Sequence, residues 1–279
     1  MARTKSQQIN DFVVVDVGGY STQMGLVDSE LKIVNTQAVQ VDSVEALAAN
    51  ISDICSNPKK VAIAVPGPVD YSKNMVKSSI FCPWVVGELP KKLRSMLGEN
   101  VEIQLLNDGD AHTLAMIERK DIVLGAISIS LGTSFGFGVL DKNGKLVRTL
   151  SGDNWELGHF IISESPLTGF EYSSKVGYLF GNNGLTALKQ KYGDSAYKLY
   201  GELLGGFLLK LTVIFQPNTI FLTGGITKHY GKKFIPFVDD ILSNRCKFVN
   251  KPIIITSNDF DSALTGLVKF VEKESLEST

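Results

Sequence analysis

The hydrophobic positions fall into short runs rich in β-branched residues, separated by amphipathic stretches and by glycine-rich turns. The runs predict strands at 12–17, 22–27, 31–39, 61–65, 101–107, 126–131, 135–140, 146–150, 219–223 and 253–256. The amphipathic stretches predict helices at 41–54, 88–97, 195–215, 226–242 and 262–272. Both halves begin with a strand, a glycine-rich turn and a returning strand. The pattern therefore indicates a duplicated α/β fold with mixed sheets, flanking helices and a central cleft.

Composition narrows the classes of partner. The 279 residues carry a formal net charge of −1, which gives no electrostatic reason to expect nucleic acid or an anionic membrane. The three cysteines, Cys55, Cys82 and Cys246, are scattered, which is typical of a reducing compartment. The first residues contain no apolar signal-peptide core, and no apolar run is long enough to span a bilayer. We therefore expect a cytoplasmic protein.

The pair Asn107-Asp108 ends an apolar run and precedes a helical pattern. A strand that stops there presents a carboxylate at the sheet edge where open α/β sheets place ligands. Asp108 could then accept a proton from a hydroxyl that Asn107 positions. The alternative is an ordinary Asn-Asp-Gly turn with Asp110 as a helix N-cap.

Three glycine loops follow apolar strands, and they read Asp16-Val17-Gly18-Gly19-Tyr20-Ser21, Leu131-Gly132-Thr133-Ser134 and Leu222-Thr223-Gly224-Gly225. Glycine lets the backbone turn sharply and lets N–H groups approach a phosphate. Asp16 could hold Mg²⁺ through water, because Mg²⁺ favours few carboxylates plus substrate phosphates. The third loop could lie against a nucleotide base or ribose. Each loop could equally be only a hairpin or a turn.

The run Trp155-Glu156-Leu157-Gly158-His159 combines an aromatic ring, a carboxylate and an imidazole. Sugar sites use such groups, with Glu accepting from hydroxyls and an aromatic ring covering C–H faces. The alternative is a surface loop with a Glu-His pair. His112 and His229 have no comparable combination of aromatic and carboxylate residues beside them in the sequence, and we interpret them as structural or exposed.

Six motifs occur in an order that resembles the ROK family of sugar kinases, within the superfamily that includes actin and heat-shock chaperones. They read DVGGYSTQMGLVD, AVPGPVD, LNDGDAH, LGTSFGFGV, ELGH and LTGGIT. The resemblance implies two actin-like, ribonuclease H-like domains, here 1–107 plus 260–279 and 108–259. It also implies ATP with Mg²⁺ in the cleft, a hexose acceptor and a homodimer.

The same resemblance implies a role for each matched residue. Asp108 would be the catalytic base for transfer to a hexose hydroxyl, most simply the 6-OH of glucose. Asn107, Glu156 and His159 would contact the sugar, and Glu171 would add a further sugar contact.

Some positions depart from the family pattern. The usual Cys-rich zinc loop is absent, so we predict no zinc, and the zinc-free members resemble polyphosphate glucokinases, which leaves polyphosphate open as donor. Tyr20-Ser21 replaces a usual Thr-Lys, which removes a phosphate-contacting cation. Phe81 and Trp155 replace smaller or polar residues and predict a pocket that is tighter around C2, which favours glucose or mannose over their N-acetylated forms. The alternative function is a catalytically silent sugar-binding protein of the same fold.

Overall fold

A computed structural model describes residues 9–162, 175–256 and 263–277. The chain divides into two compact units. Unit 1 comprises Met1–Ala115, Arg148–Asn154 and Ser262–Thr279, and unit 2 comprises Met116–Val147 and Trp155–Asp261.

The regular elements are numbered in chain order. The strands are β1 Ile9–Val17, β2 Thr22–Asp28, β3 Ile33–Val39, β4 Lys60–Val65, β5 Val69–Asp70, β6 Met75–Val76, β7 Glu102–Asn107, β8 Ala126–Leu131, β9 Phe135–Leu140, β10 Thr219–Thr223 and β11 Ile253–Thr256. The helices are α1 Val44–Ile54, α2 Leu89–Leu97, α3 Asp108–Ala115, α4 Val176–Leu179, α5 Asn182–Tyr192, α6 Ala196–Phe215, α7 Gly224–Arg245 and α8 Ala263–Glu277.

Unit 1 is built on a five-stranded sheet in the order β3-β2-β1-β4-β7. Strands β1, β2 and β3 pair antiparallel, whereas β1, β4 and β7 run parallel. Alternate residues of β1 face opposite sides, and both sides are covered: Val13 and Val15 lie in a core with α1 and α2, while α8 packs against β1 and β4. Because both faces are buried there, β4 and the centre of β1 are continuously apolar rather than alternating.

Unit 2 repeats this plan with a four-stranded sheet in the order β11-β10-β8-β9. Its hairpin β8–β9 is antiparallel, and β8, β10 and β11 run parallel. One core cluster joins β8 and β10 to α5, α6 and α7. The hairpin β8–β9 thus corresponds to β1–β2, which confirms the predicted α/β class with mixed sheets flanked by helices in two units.

The predicted 146–150 strand is wrong, because only Leu146 forms an isolated bridge, to Leu140. The sequence reading also missed α5 and the short β5–β6 pair.

The division of the chain differs from the predicted 1–107 plus 260–279 and 108–259. Helix α3 lies in unit 1 because it packs against α8, and Arg148–Asn154 lies there as well. Among the described residues, no helix has the length and apolar character that crossing a bilayer requires.

Candidate functional site

The first group of candidate site residues lies at the carboxyl edge of the unit 1 sheet. Strands β1, β4 and β7 are parallel, so their carboxyl ends meet there, with Asp16 opposite Ala64 and Val65 opposite Asn107. Asp16 and Asn107 stand two strands apart, a separation of roughly 10 Å at the usual strand spacing. This is the edge at which open α/β sheets bind ligands.

Asp108 is the first residue of α3 and is half-buried. Its Oδ1 accepts a hydrogen bond of 2.8 Å from the Gly109 N–H. The neighbouring Cys82 thiol is 2% exposed, and burial, followed by the negative charge of Asp108, raises the pKa of that thiol. Cys82 is therefore a protonated neighbour of the carboxylate and not an activated nucleophile.

Asn107 is the residue that caps α3. Its Oδ1 accepts from the Asp110 N–H at 3.2 Å, and its Nδ2 donates to the Gly67 carbonyl oxygen at 3.0 Å. The alternative that Asp110 is the N-cap is wrong, because the helix already begins at Asp108 and Asp110 supplies the capped N–H. The cap fixes the backbone on both sides of Asp108. A sugar contact by Asn107 stays a prediction.

Behind this turn lies a buried polar cluster that sequence reasoning missed. The Tyr71 hydroxyl donates to Asp110 Oδ2 at 2.8 Å and accepts from the Asn107 N–H at 3.2 Å. Arg148 Nη1 donates to the same hydroxyl at 2.9 Å and forms an ion pair with Asp110. Burial raises the pKa of Asp110, while Arg148 and Tyr71 act against that shift. A buried carboxylate requires a partner, so the sequence signals that Asp110 needs one if it is buried. No spacing rule identifies Tyr71 and Arg148, because they lie 39 and 38 positions from Asp110.

Asp16 precedes the first glycine loop. The Gly18 N–H donates to the Ser21 carbonyl at 3.1 Å, which closes the turn between β1 and β2. A Cβ on Gly18 would lie 2.6 Å from that same oxygen, so only glycine fits. Tyr20 is 81% exposed. Burial raises the pKa of the half-buried Asp16, and the nearby His112 partly offsets the shift. A carboxylate with this burial fits a role as the binding group for a cation.

Unit 2 holds the second group of candidates, around the turn between β8 and β9. The Gly132 N–H donates to the Ser134 carbonyl at 3.1 Å, and the Gly132 carbonyl accepts from the Asn182 N–H at 2.8 Å. Asn182 begins α5, so the start of that helix lies against this turn. A Cβ on Gly132 would meet nothing within 4 Å, which leaves the turn open to a ligand.

The third glycine loop lies beside the same turn. Gly224 begins α7 with φ +90°, and a Cβ there would lie 2.4 Å from the Leu131 carbonyl oxygen. Gly225, in contrast, faces open space. The start of α5 therefore lies against Gly132 and the start of α7 against Leu131, with open space at Gly132 and Gly225. This arrangement favours phosphate groups because helix starts carry partial positive charge.

Glu156 and His159 lie side by side because Leu157–His159 forms a 3₁₀ turn. The distance from His159 Nε2 to Glu156 Oε2 is 3.8 Å, and the His159 side chain is 58% exposed. The turn packs against the β8–β9 loop, where a Cβ on Gly158 would lie 3.2 Å from the Phe135 carbonyl. The sequence motif thus forms one cluster with the phosphate-type loop of unit 2.

The structure places Trp155 differently from the predicted position in a sugar pocket. Its ring forms edge contacts with Phe137 and Phe215, and its Nε1–H donates to the Val147 carbonyl at 2.7 Å. The indole therefore packs against the unit 2 core, and these contacts do not support the prediction that it narrows a sugar pocket. Phe81, by contrast, is 49% exposed and lies beside Gly19.

The sugar contact of Glu171 and the absence of zinc both stay predictions. Glu171 lies outside the described residues. Across 9–162, 175–256 and 263–277, no cluster of three or more His, Cys, Asp or Glu side chains is placed to hold a metal. The absence of zinc stays a prediction.

The fold is a duplicated α/β fold in which each unit has a mixed sheet flanked by helices. The model of the ROK family matches residues 12–175, more than half of the chain, so the chain belongs to the ROK family. The family prediction is thereby confirmed. A comparison with curated proteins finds no match.

Solved structures share the fold across nearly the whole chain. A ROK family glucokinase from Streptomyces griseus in complex with glucose and AMPPNP is 18% identical, with a TM-score of 0.72 and coverage of 94% of this chain and 98% of that one. An inorganic polyphosphate/ATP-glucomannokinase from Arthrobacter sp. strain KM is 21% identical, with a TM-score of 0.68 and coverage of 95% and 98%. A ROK family protein from Streptococcus pneumoniae in complex with sucrose is 18% identical, with a TM-score of 0.78 and coverage of 95% and 99%. At these identities the likeness shows the fold.

Proposed function

We propose that this ROK protein is a hexose kinase that transfers the terminal phosphoryl group of ATP to a sugar hydroxyl, most simply the 6-OH of glucose. The observation that carries the proposal is Asp108, a half-buried carboxylate at the carboxyl ends of the parallel strands of a mixed sheet, with its backbone fixed on both sides. Membership of the ROK family supports the same assignment.

In the proposed reaction, Asp108 accepts the proton of the sugar hydroxyl while the hydroxyl oxygen forms a bond to the terminal phosphorus. The bond from that phosphorus to the bridging oxygen breaks, and ADP leaves. Since the transition state of phosphoryl transfer is loose, most of the base's effect is to orient the nucleophile. Glu156 and His159 would bind neighbouring hydroxyls of the sugar.

The phosphate groups would be bound by the glycine loops, with residues 132–134 and Gly224-Gly225 offering backbone N–H groups and helix starts. Asp16 would hold Mg²⁺ through water, and its burial fits this role because a bound cation offsets the unfavourable ionisation. When bound, Mg²⁺ neutralises charge on the phosphates.

The donor and the sugar preference are further parts of the proposal. The glucomannokinase neighbour uses polyphosphate or ATP by name, which makes polyphosphate the second donor to test. Phe81 supports a preference for glucose or mannose over N-acetylated forms, because its half-exposed ring stands beside Gly19. A site that binds hydroxyls rejects analogues that lack them.

The test is an assay of the purified protein with ATP or polyphosphate against glucose, mannose, N-acetylglucosamine and N-acetylmannosamine, with detection of the sugar phosphate. The proposal predicts turnover with glucose or mannose and a higher kcat/KM for these than for the N-acetylated sugars. Absence of any sugar phosphate, with sugar binding intact, would refute the kinase assignment.

That outcome would favour a sugar-binding protein without catalysis. Two observations favour this second candidate: Tyr20 stands largely exposed where the family has a polar, phosphate-contacting pair, and the pneumococcal relative is a ROK protein bound to sucrose.

A further inference from the structure

We propose that Tyr71 and Arg148 are positioning residues that fix the Asn107–Asp108 turn in the geometry required for phosphoryl transfer. The inference rests on the proposed function. It concerns a cluster that belongs wholly to unit 1, since Arg148–Asn154 is part of that unit.

The contacts around Asp108 form a closed ring. The Asn107 N–H donates to the Tyr71 hydroxyl, and this hydroxyl donates to Asp110 Oδ2. The Asp110 N–H donates back to Asn107 Oδ1. Asp108 therefore stands between two residues that are each held at the backbone and at the side chain. A displacement of about 1 Å at a catalytic group can lower the rate about 100-fold.

Tyr71 suits this role because its hydroxyl is fully used. It offers one donor and two acceptor positions, and these are taken by Asp110, Asn107 and Arg148. Burial raises the pKa of Tyr71 well above its ordinary value, so the hydroxyl remains protonated and continues to donate.

Arg148 completes the cluster from the opposite side. Its guanidinium stacks over the Tyr71 ring at 3.9 Å from the centroid and neutralises Asp110, which is 1% exposed. Without Arg148, the carboxylate two residues from Asp108 would remain buried without its cation, a state that proteins avoid. We expect the turn to reorganise in that case.

The segment that carries Arg148 is anchored a second time. Lys77 Nζ donates to both carboxylate oxygens of Asp153 at 2.8 Å. This pair is exposed and touches neither Asn107 nor Asp108. Lys77→Gln is therefore a matched control that loosens the same segment without altering the ring of hydrogen bonds.

The experiment compares Tyr71→Phe, Arg148→Gln, Arg148→Lys and Lys77→Gln with the wild type in steady-state kinetics. We expect Tyr71→Phe and Arg148→Gln to lower kcat about 10- to 100-fold with both KM values within about threefold, since the loss is one of orientation. Arg148→Lys, which keeps the charge, should recover part of kcat. Lys77→Gln should retain kcat within about twofold.

Amide hydrogen exchange provides a readout that does not need turnover. Exchange at the Asn107 amide should accelerate in Tyr71→Phe, because its acceptor is removed, and stay unchanged in Lys77→Gln. An active wild type whose Tyr71→Phe variant keeps full kcat would overturn the inference, as would equal loss in Lys77→Gln. If the wild type shows no turnover, the proposed function is refuted. The exchange measurement still tests the positioning role in that case, and an unchanged exchange rate at the Asn107 amide in Tyr71→Phe would overturn it.

Discussion

At the scale of single residues, the site depends on where polar groups are buried. Asp16 and Asn107 lie at the carboxyl ends of β1 and β7, and Asp110 is buried in the first turn of α3. Hydrogen bonds hold the side chains of Asn107 and Asp110 in place. Burial raises the pKa of Asp16 and of Asp110, which disfavours their charged forms. The proposed site therefore lies where the fold gives up stability for geometry.

Replacement of Asp16 by Asn tests this trade-off. Because burial raises the pKa of Asp16 in the folded state, the wild type loses stability as the pH rises from the unfolded-state pKa to the folded-state value. Asp16→Asn lacks this loss. We expect the metal-free variant to be more stable than the wild type at neutral pH, with a difference that grows above about pH 4 and then levels off, and to lack activity.

Urea unfolding of both proteins between pH 4 and pH 8, without Mg²⁺, measures this difference. A variant that is equally or less stable at every pH would show that the carboxylate is stabilised by its surroundings.

Replacement of Trp155 by Phe tests the corrected role of that residue. Loss of the hydrogen bond to Val147 and of part of the ring contacts should lower the free energy of unfolding by about 1–2 kcal/mol. Sugar KM values should not change, since the ring faces the core. If the variant accepts N-acetylated sugars substantially better than the wild type does, the indole contributes to the pocket after all.

At the scale of elements, the parallel strands and the helices that follow them determine where chemistry can occur. In unit 2, β8 and β10 end side by side, and the starts of α5 and α7 meet the loop 132–134. The contact that joins these elements most closely is Gly224 against Leu131.

Replacement of Gly224 by Ala tests this junction. The new Cβ would clash with the Leu131 carbonyl and the backbone would retain a φ of +90°, so we expect a loss of about 1–3 kcal/mol in stability together with a raised KM for the nucleotide. Gly193→Ala is the matched control, because φ is +57° but nothing lies within 4 Å of the added carbon. It should lose about 1–2 kcal/mol in stability and keep the nucleotide KM. Equal KM values in both variants would argue against a nucleotide at this loop.

Prediction from sequence succeeded where a short-range pattern determined the structure. The buried runs at β1, β8, β9 and β10 needed no knowledge of their partners, because short apolar runs next to glycine turns already indicate strands. It failed at 146–150, where the turn residues 141–145 suggest a hairpin into a returning strand, but Arg148 pairs with the buried Asp110. Long-range pairing overrode local propensity there.

The same reason explains which candidate site residues can be predicted from sequence. Asp108, Glu156 and Gly132 occur in local motifs that chemistry and family resemblance both recognise. Tyr71 and Arg148 occur in no motif, and only the folded chain brings them to Asn107. Trp155 was misassigned because its neighbours in sequence suggested a sugar site, whereas its neighbours in space are core aromatics.

At the scale of the whole molecule, the two units repeat one plan. The ROK family model matches residues 12–175, which include most of unit 1 and the first part of unit 2. The homodimer and the cytoplasmic location stay predictions. So does the absence of zinc, which follows from the missing cysteine-rich loop.

Metal analysis of protein purified without chelator tests the zinc prediction. Since a closed zinc site needs about four ligands and the cysteines are scattered, we expect no stoichiometric zinc. About one equivalent per chain would reveal a site formed by residues distant in sequence.

The central claim is that Asp108 is the base of a sugar kinase, and the most direct measurement compares Asp108→Asn with the wild type in turnover and in sugar binding. Asn keeps the size of the side chain but cannot accept the hydroxyl proton. We predict that turnover falls by about 10²–10⁴-fold or more, while the dissociation constant for the sugar stays within about threefold. Asp42→Asn, on an exposed carboxylate, should leave both values unchanged. Retention of a tenth or more of wild-type turnover by Asp108→Asn would contradict the account.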